Sequence, residues 1–381
     1  MSMRNFTSML ESWATNAKKK LIPLPGSLYT SPEFLALEIE QLFYRKWVNV
    51  GHVSEWLKYG DYRTIDIVDK PLLVVRDQSD KIKAFSNVCR HRGAILASGN
   101  GNARAFTCPY HAWTYDVSGN LLAAPFIEKD RISDICLPEY KVETWQGLVF
   151  VSLDDHAEPL SPTLARLEER IAAYNLASYV VIQRKEIEFA CNWKILVENF
   201  CESYHLFAVH KNTLEPYSPT KTTQVLEGGD AFNHHTMLRS SNKVTEEELN
   251  RLPGKLAELG NLICIYPCLA FSINSTTALW LSIQPAGPDK LRATMQIALL
   301  PDAGNNVTEE FATSVRESTA EFMAEDKNIV ELVQRGLAAN VGNCGVMHEW
   351  EKTNWEFGQF LVRTLLSSNV SKGRGRGKVP E

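Results

Sequence analysis

The sequence predicts an α+β protein of two domains, and three observations carry that prediction. A chain of 381 residues exceeds what one small hydrophobic core organises. Between about residues 48 and 153, short β-branched and aromatic runs are separated by Gly, Asp and Asn, the pattern of a small antiparallel sandwich. Beyond Leu153, helical periodicity and longer strands share one stretch of chain, as in a sheet packed against helices.

The elements follow in order. Residues 1–20 carry Lys18, Lys19 and Lys20 but no apolar core before a small-residue cleavage site, so they do not read as a signal peptide. Residues 31–47 open with Ser31, Pro32 and Glu33, a cap with proline in the first turn, and continue with Phe34, Leu35, Leu37, Ile39, Leu42, Phe43 and Trp47 near helical spacing. Strands are expected at 61–68, 71–76, 81–87 and 146–152, with a turn at 116–120. A helix at 161–176, a strand at 179–189 and a helix from about Asn192 come next. Residues 221–240 and 262–300 read as strands, the clearest at 262–273, 279–285 and 292–300. Long helices are expected at 308–340 and 348–367, and 243–260 reads as a charged helical insert. The Gly/Lys/Arg run at 372–378 reads as a solvated tail.

Composition excludes several classes. Hydrophobic content of 44% and charged content of 22% are those of an ordinary globular protein, and a net charge of −5 provides no basic surface for nucleic acid. No run of 18 apolar residues is present to span a membrane. Eight cysteines, at 89, 108, 136, 191, 201, 264, 268 and 344, show no disulfide framework of a secreted domain. A cytoplasmic location with reduced thiols is the expectation.

Chemistry concentrates first in Cys89-Arg-His91 and Cys108-Pro-Tyr-His111. A [2Fe–2S] cluster takes two ligands per iron, and two imidazoles in place of two thiolates raise its potential. Each loop here supplies one ligand of each kind. Zinc also suits Cys2His2, but the tight Cys-x-His pair fits a zinc finger poorly and no helix-borne histidine pair follows. Tyr110, Trp113 and Tyr115 are placed to shield such a cluster from water.

A second set is His205 and His210 with Asp326. On an ideal helix positions i and i+5 lie about 140° apart, so the helix must bend or end for both histidines to meet one ion. Two histidines alone are more often buried and satisfied than ligating. Asp326 sits in a helix whose stripe is marked by Phe322, Ile329, Leu332 and Val333, which points it at the core edge. An unpaired carboxylate there is costly, and a cation removes the cost. Two histidines and a carboxylate with open positions form the facial triad of non-haem Fe(II) oxygenases.

Residues 89–111, with Gly93, Trp113 and Tyr115, resemble the Rieske domain of ring-hydroxylating and related non-haem iron oxygenases. The stretch Asn192-Trp193-Lys194 through His210, with Glu325-Asp326 through Gln334, resembles their catalytic domain, so the likeness spans about residues 30–366. It implies a Rieske domain at 48–155, inserted near the N-terminus of a helix-grip catalytic domain formed by 1–47 and 156–366, with 367–381 as a tail. It implies a [2Fe–2S] cluster on Cys89, His91, Cys108 and His111, and mononuclear Fe(II) on His205, His210 and Asp326. Glu202 takes the place of a bridging acid, usually aspartate, that meets a cluster histidine of the neighbouring subunit. The family also implies a homotrimer, O2, a small-molecule substrate and an electron-donating reductase or ferredoxin. No GxGxxG unit for a nucleotide is present in the chain.

Chain length resembles the homotrimeric branch, and Glu202 resembles its carnitine-oxygenase side, so the expected substrate is a quaternary ammonium compound, hydroxylated or oxidatively demethylated. An aromatic acid or arene is the alternative substrate, and an electron-transfer Rieske protein the alternative class. Trp280, Phe271, Phe207 and Tyr204 are the rings expected to hold a quaternary ammonium near the iron. Arg239, Arg292 or Lys221 would serve a carboxylate substrate. His234 and His235 are further candidates for the pocket wall.

Overall fold

The computed structural model describes residues 3–18, 20–240, 244–301, 307–341 and 345–371. Two compact units comprise them, one of Phe43–Ser161 and one of the flanking segments Met1–Leu42 and Pro162–Glu381.

The Phe43–Ser161 unit holds a seven-stranded antiparallel sheet in the order Val48–His52, Leu148–Ser152, Glu139–Trp145, Ile82–Ser86, Lys70–Arg76, Asp61–Ile67 and Asn100–Asn102. The strands expected at 61–68, 71–76, 81–87 and 146–152 are present within two residues at each end. Glu139–Trp145 was not anticipated, because its charged residues interrupt any apolar run and leave it only half buried. A second sheet, Ala105–Thr107, Thr114–Asp116 and Leu121–Ala123, closes through the turn at 116–120. There the Asp116 carboxylate accepts from the backbone N–H of Ser118 at 2.8 Å and of Asn120 at 2.9 Å. Gly119 has φ +85°, and a Cβ on it would lie 2.8 Å from the Phe85 ring, so the turn packs on the core only without a side chain. That core contains Leu73, Val75, Phe85, Phe106, Trp113 and Tyr115, with Cys89 and Cys108 among them.

The other unit is built on a seven-stranded antiparallel sheet in the order Val180–Phe189, Lys290–Leu299, Thr277–Gly287, Leu269–Ile273, Leu259–Ile265, Phe232–Leu238 and Gln224–Leu226. The run expected as one strand at 262–273 is two strands, reversed at Tyr266, Pro267 and Cys268. Strand register creates one cross-sheet row, His235–Leu262–Ser272–Leu279–Ile297. The next row, Ile263–Phe271–Trp280–Gln296, faces the opposite side because side chains alternate along a strand. The helix Trp193–Cys201, capped by Asn192, packs on this sheet, as does the 30-residue helix Glu309–Ala338 at its edge strand.

An N-terminal helix, Met3–Ala17, had no counterpart in the sequence reading; it packs on the last helix, Lys352–Ser371. The helix expected at 31–47 is an α-helix, Pro32–Glu38, that widens into a π-turn, Ile39–Phe43. The helix expected at 161–176 is present as the α-helix Ala165–Ile171 with a tighter 3-10 turn at each end, Ser161–Leu164 and Ala172–Tyr174. The insert expected at 243–260 forms the helix Glu246–Arg251 with a Thr245/Glu248 capping box, while residue 243 lies outside the described residues. Residues 372–378 of the basic run also lie outside them, as does Cys344. The other seven cysteines are free. Among the described residues no helix is long and apolar enough to cross a membrane.

Helix Trp193–Cys201 is anchored by buried charge. Lys194 Nζ lies 3.0 Å from Glu38 Oε2, with both side chains fully buried, and Tyr29 donates to Glu198 Oε1 at 2.6 Å. Burial pushes the Glu198 carboxyl up to about 7 from its ordinary 4.5. The folded chain therefore keeps a proton that the unfolded chain gives up, and stability falls as pH rises through that interval, by up to about 3 kcal/mol. Urea unfolding at about pH 5 and about pH 7.5 should show this fall in the wild type and a flatter profile in Glu198→Gln. An unchanged profile in the variant would assign the slope to other groups.

Candidate metal centres

Two loops of the Phe43–Ser161 unit repeat one backbone pattern. In the first, Gly93 N–H donates to Cys89 C=O at 3.0 Å and Cys89 N–H donates to Ala94 C=O at 2.8 Å. In the second, Ala112 N–H donates to Cys108 C=O at 3.0 Å and Cys108 N–H donates to Trp113 C=O at 2.7 Å. The residue four after each cysteine is left-handed, Gly93 at φ +79° and Ala112 at φ +57°. Each loop thus turns back under its cysteine and lifts its histidine outward. Cys89 and Cys108 are buried, His91 and His111 are exposed, and the two imidazole centroids lie 4.7 Å apart. Buried thiols below and paired imidazoles above fit a [2Fe–2S] cluster with one Cys pair and one His pair.

The aromatic shield is divided. Tyr115 is fully buried, with its hydroxyl 3.5 Å from Cys89 Sγ and accepting from Arg90 N–H at 3.0 Å. Trp113 stacks on His91 at 4.7 Å and 11°. Tyr110 packs on His111 at 3.7 Å but is itself 56% exposed, so it is the outermost and least complete part of the shield.

In the other unit, helix Trp193–Cys201 ends before the first histidine. Glu202 is extended, at φ −135° and ψ 163°, and a one-turn helix Leu206–Val209 follows, with His205 before it and His210 after it. The end that the five-residue spacing demands between the histidines is at Val209, since His210, at φ −103° and ψ 33°, has already left the helical path. Their ring centroids are 5.2 Å apart.

Asp326 reaches them from helix Glu309–Ala338. Its Oδ1 lies 3.0 Å from His210 Nε2 and 3.6 Å from His205 Nε2 and also accepts from Asn199 Nδ2 at 2.8 Å. One donor atom from each of His205, His210 and Asp326 falls within 4.8 Å of the others. The buried stripe of this helix differs from the expected one. It runs through Thr319, Met323, Asp326, Val330 and Gln334, while Leu332 and Val333 are exposed. Asp326 is on the stripe itself.

Each histidine turns its other nitrogen to a carboxylate. His205 Nδ1 lies 2.6 Å from Glu202 Oε1, and His210 Nδ1 lies 2.7 Å from Glu325 Oε2, which Thr213 also supports at 2.6 Å. Such pairs fix the tautomer and orient Nε2 toward a metal. Glu202 Oε2 accepts from the backbone N–H of Tyr204 and of His205. Without a cation, three carboxylates surround two imidazoles. Burial opposes charge on His205, yet Glu202 and Asp326 lift it to about 10; burial likewise opposes charge on Asp326, yet both histidines hold it far below the usual carboxylate range. The donor set calls for a cation, and two histidines with one carboxylate suit Fe(II) with open positions. Glu325 escaped the sequence reading because its partner is 115 residues away.

A cavity of about 410 Å³ adjoins these residues. Leu262, Ser272, Leu279 and Ile297 of the cross-sheet row line it, together with Phe200, Tyr217 and Phe322. The four rings expected there are elsewhere: Trp280 and Phe271 are buried in the opposite row, and Tyr204 and Phe207 are exposed. His234 and His235 are buried outside the lining and kept neutral, pushed by burial down to about 4 and about 3. Arg239 lines the cavity, but Glu248 meets its guanidinium at 2.9 Å and Ser275 at 2.8 Å. Arg292 and Lys221 do not line it.

Comparison with known proteins agrees with this geometry. Residues 176–367 match the ring hydroxylating alpha subunit (catalytic domain) and residues 46–145 the Rieske [2Fe-2S] domain. The carnitine monooxygenase oxygenase subunit of Acinetobacter pittii (strain PHEA-2) is 27% identical over 82% of this chain and 84% of its own. The chloroplastic choline monooxygenase of Arabidopsis thaliana is 30% identical over 90% of this chain and 82% of its own. A solved quaternary ammonium Rieske monooxygenase, described for carnitine oxidation and inter-subunit electron transfer, superposes with a TM-score of 0.78 at 24% identity, covering 92% of this chain and 95% of that one.

Proposed function

The chain belongs to the Rieske-type ring-hydroxylating oxygenase α-subunit family, and on that premise we propose that it oxidises a small quaternary ammonium compound. It is the terminal oxygenase of such a system, with a [2Fe–2S] cluster and mononuclear iron as cofactors, and takes electrons from a separate reductase. Bound in this chain, the cluster supplies single electrons and the ferrous ion supplies the site at which O2 is activated against substrate.

The residues have distinct tasks under this reading. Cys89, His91, Cys108 and His111 hold the cluster. His205, His210 and Asp326 hold the iron, while Glu202 and Glu325 orient the two imidazoles from behind. Glu202 is also the bridging acid. A carboxylate has about four lone-pair sites, and three N–H groups of its own loop occupy Glu202. The remaining site receives a cluster histidine of a neighbouring copy, which gives the electron a hydrogen-bonded route between subunits of a homotrimer. The solved relative described for inter-subunit electron transfer supports that arrangement.

The observation that carries the substrate class is the likeness to carnitine and choline monooxygenases along most of the chain. The cavity is compatible with it. A quaternary ammonium group donates no hydrogen bond and is held by aromatic faces or carboxylates. Phe200, Tyr217 and Phe322 provide the faces, and Phe322 lies 6.2 Å from the His210 ring. Arg239 would repel a cation if alone, but buried Glu248 compensates its charge. Reductase-coupled O2 uptake over carnitine, choline, glycine betaine, benzoate and an aryl ether tests the proposal. Product formed from at least one trimethylammonium compound and none from benzoate is expected. Turnover of benzoate alone would move the assignment to aromatic acids.

A further inference from the structure

One buried pair near the iron residues has no task in the chemistry above: His235 on strand Phe232–Leu238 and Ser203 in the helix break. We infer that His235 is a positioning residue, which through Ser203 sets the loop carrying Glu202 and His205 and thereby the hold of the chain on its mononuclear metal. The inference rests on His205 as a metal ligand, and neither the substrate class nor the subunit arrangement enters it.

The loop at 202–205 has little regular structure to keep it in place, since one helix ends at Cys201 and the next begins at Leu206. The Glu202 carboxylate binds Tyr204 N–H, His205 N–H and His205 Nδ1. Those bonds tie the loop to itself, not to the body of the unit. Tyr204 stacks on His348 at 4.8 Å from outside, and Ser203 makes the buried hydrogen-bonded connection to the sheet. It is fully buried, and its Oγ lies 2.7 Å from His235 Nε2.

What stands behind His235 is the most regular part of the unit. His235 stands between Val225 of the edge strand and Leu262 in the cross-sheet row whose members Leu262, Ser272, Leu279 and Ile297 line the cavity. The same row that shapes the substrate space thus also holds the iron loop, through His235. A neutral imidazole has one N–H. His235 Nδ1 has no hydrogen-bond partner among the described residues, and a buried orphan N–H costs more than an unused lone pair. The hydrogen is therefore on Nε2, which donates to Ser203 Oγ.

The test follows release of Fe(II) from the holoenzyme to ferrozine, with cluster absorbance and the unfolding midpoint recorded on the same samples. Ser203→Ala and His235→Leu should lose mononuclear iron about tenfold faster than wild type, the lower end of the effect of an outer partner on metal affinity. His235→Gln, whose amide nitrogen reaches the Nε2 position, should restore slow release. Wild-type release from Ser203→Ala overturns the inference. So does His235→Gln releasing iron as fast as His235→Leu with cluster and fold intact, since packing rather than the hydrogen bond would then be at issue. If His235→Leu does not fold, Ser203→Ala, which removes one oxygen atom, decides alone. A wild-type chain holding no iron beyond the two atoms expected of the cluster would overturn the ligand assignment and this inference together.

Discussion

Asp326→Ala should leave the colour of the cluster intact while total iron drops from about three atoms per chain to about two and turnover disappears. The two metal sites share no ligand, and Asp326 contributes the oxygen nearest both His205 Nε2 and His210 Nε2. Alanine removes that oxygen and leaves two imidazoles that cannot hold Fe(II) against water. Glu325→Ala is the matched control, because the neighbouring acid touches His210 only at Nδ1. It should weaken iron binding about 10–100-fold, a loss that added Fe(II) reverses. Iron analysis of the two variants separates the roles. Should Glu325→Ala lose the iron beyond rescue while Asp326→Ala keeps it, the ligand is the other acid.

Glu202→Gln should keep the cluster, weaken the hold on iron and, once Fe(II) is resupplied, still slow the passage of electrons from cluster to iron by about 10–100-fold. An amide keeps the size of the side chain but offers one acceptor where the carboxylate offered two. Three donors converge there, Tyr204 N–H, His205 N–H and His205 Nδ1–H. Whichever way the amide turns, its NH2 faces at least one of them, and the loop must shift or His205 must change tautomer. Mixing the reduced enzyme with substrate and O2 in a stopped-flow instrument reads the result as cluster reoxidation. Reoxidation at the wild-type rate would leave Glu202 as a brace for its own loop and nothing more.

The cluster loops were legible because their four donors lie within 23 residues, so the repeat of Cys and His is a local pattern. The proposed iron ligands were legible only in combination, through the resemblance that joined His205 and His210 to an acid 116 residues beyond His210. Apolar periodicity misplaced the buried face of helix Glu309–Ala338. The true stripe includes Thr319, Asp326 and Gln334, and the last two are polar residues whose partners come from elsewhere; Gln334 Oε1, for instance, accepts from Asn192 N–H at 2.8 Å. A hydrophobic pattern registers apolar residues and cannot register polar ones that are buried because they are paired.

The sequence alone determined the α+β class and the family and singled out the two candidate metal-binding constellations, since each depends on residue identity at short spacing or on a long motif read whole. Which side chains face the substrate was decided by the tertiary structure. Phe271 and Ser272 are adjacent, as are Leu279 and Trp280, yet register puts Ser272 and Leu279 on the cavity and turns both aromatic rings away. A shift of one residue in that pairing would exchange them, and nothing in the local sequence specifies its parity. The same holds for Arg239. Its charge is plain in the chain, but Glu248, in the first turn of helix Glu246–Arg251, reaches it only once that helix has formed. Folding set both outcomes, because strand parity and charge compensation are properties of residues that meet only in the folded chain.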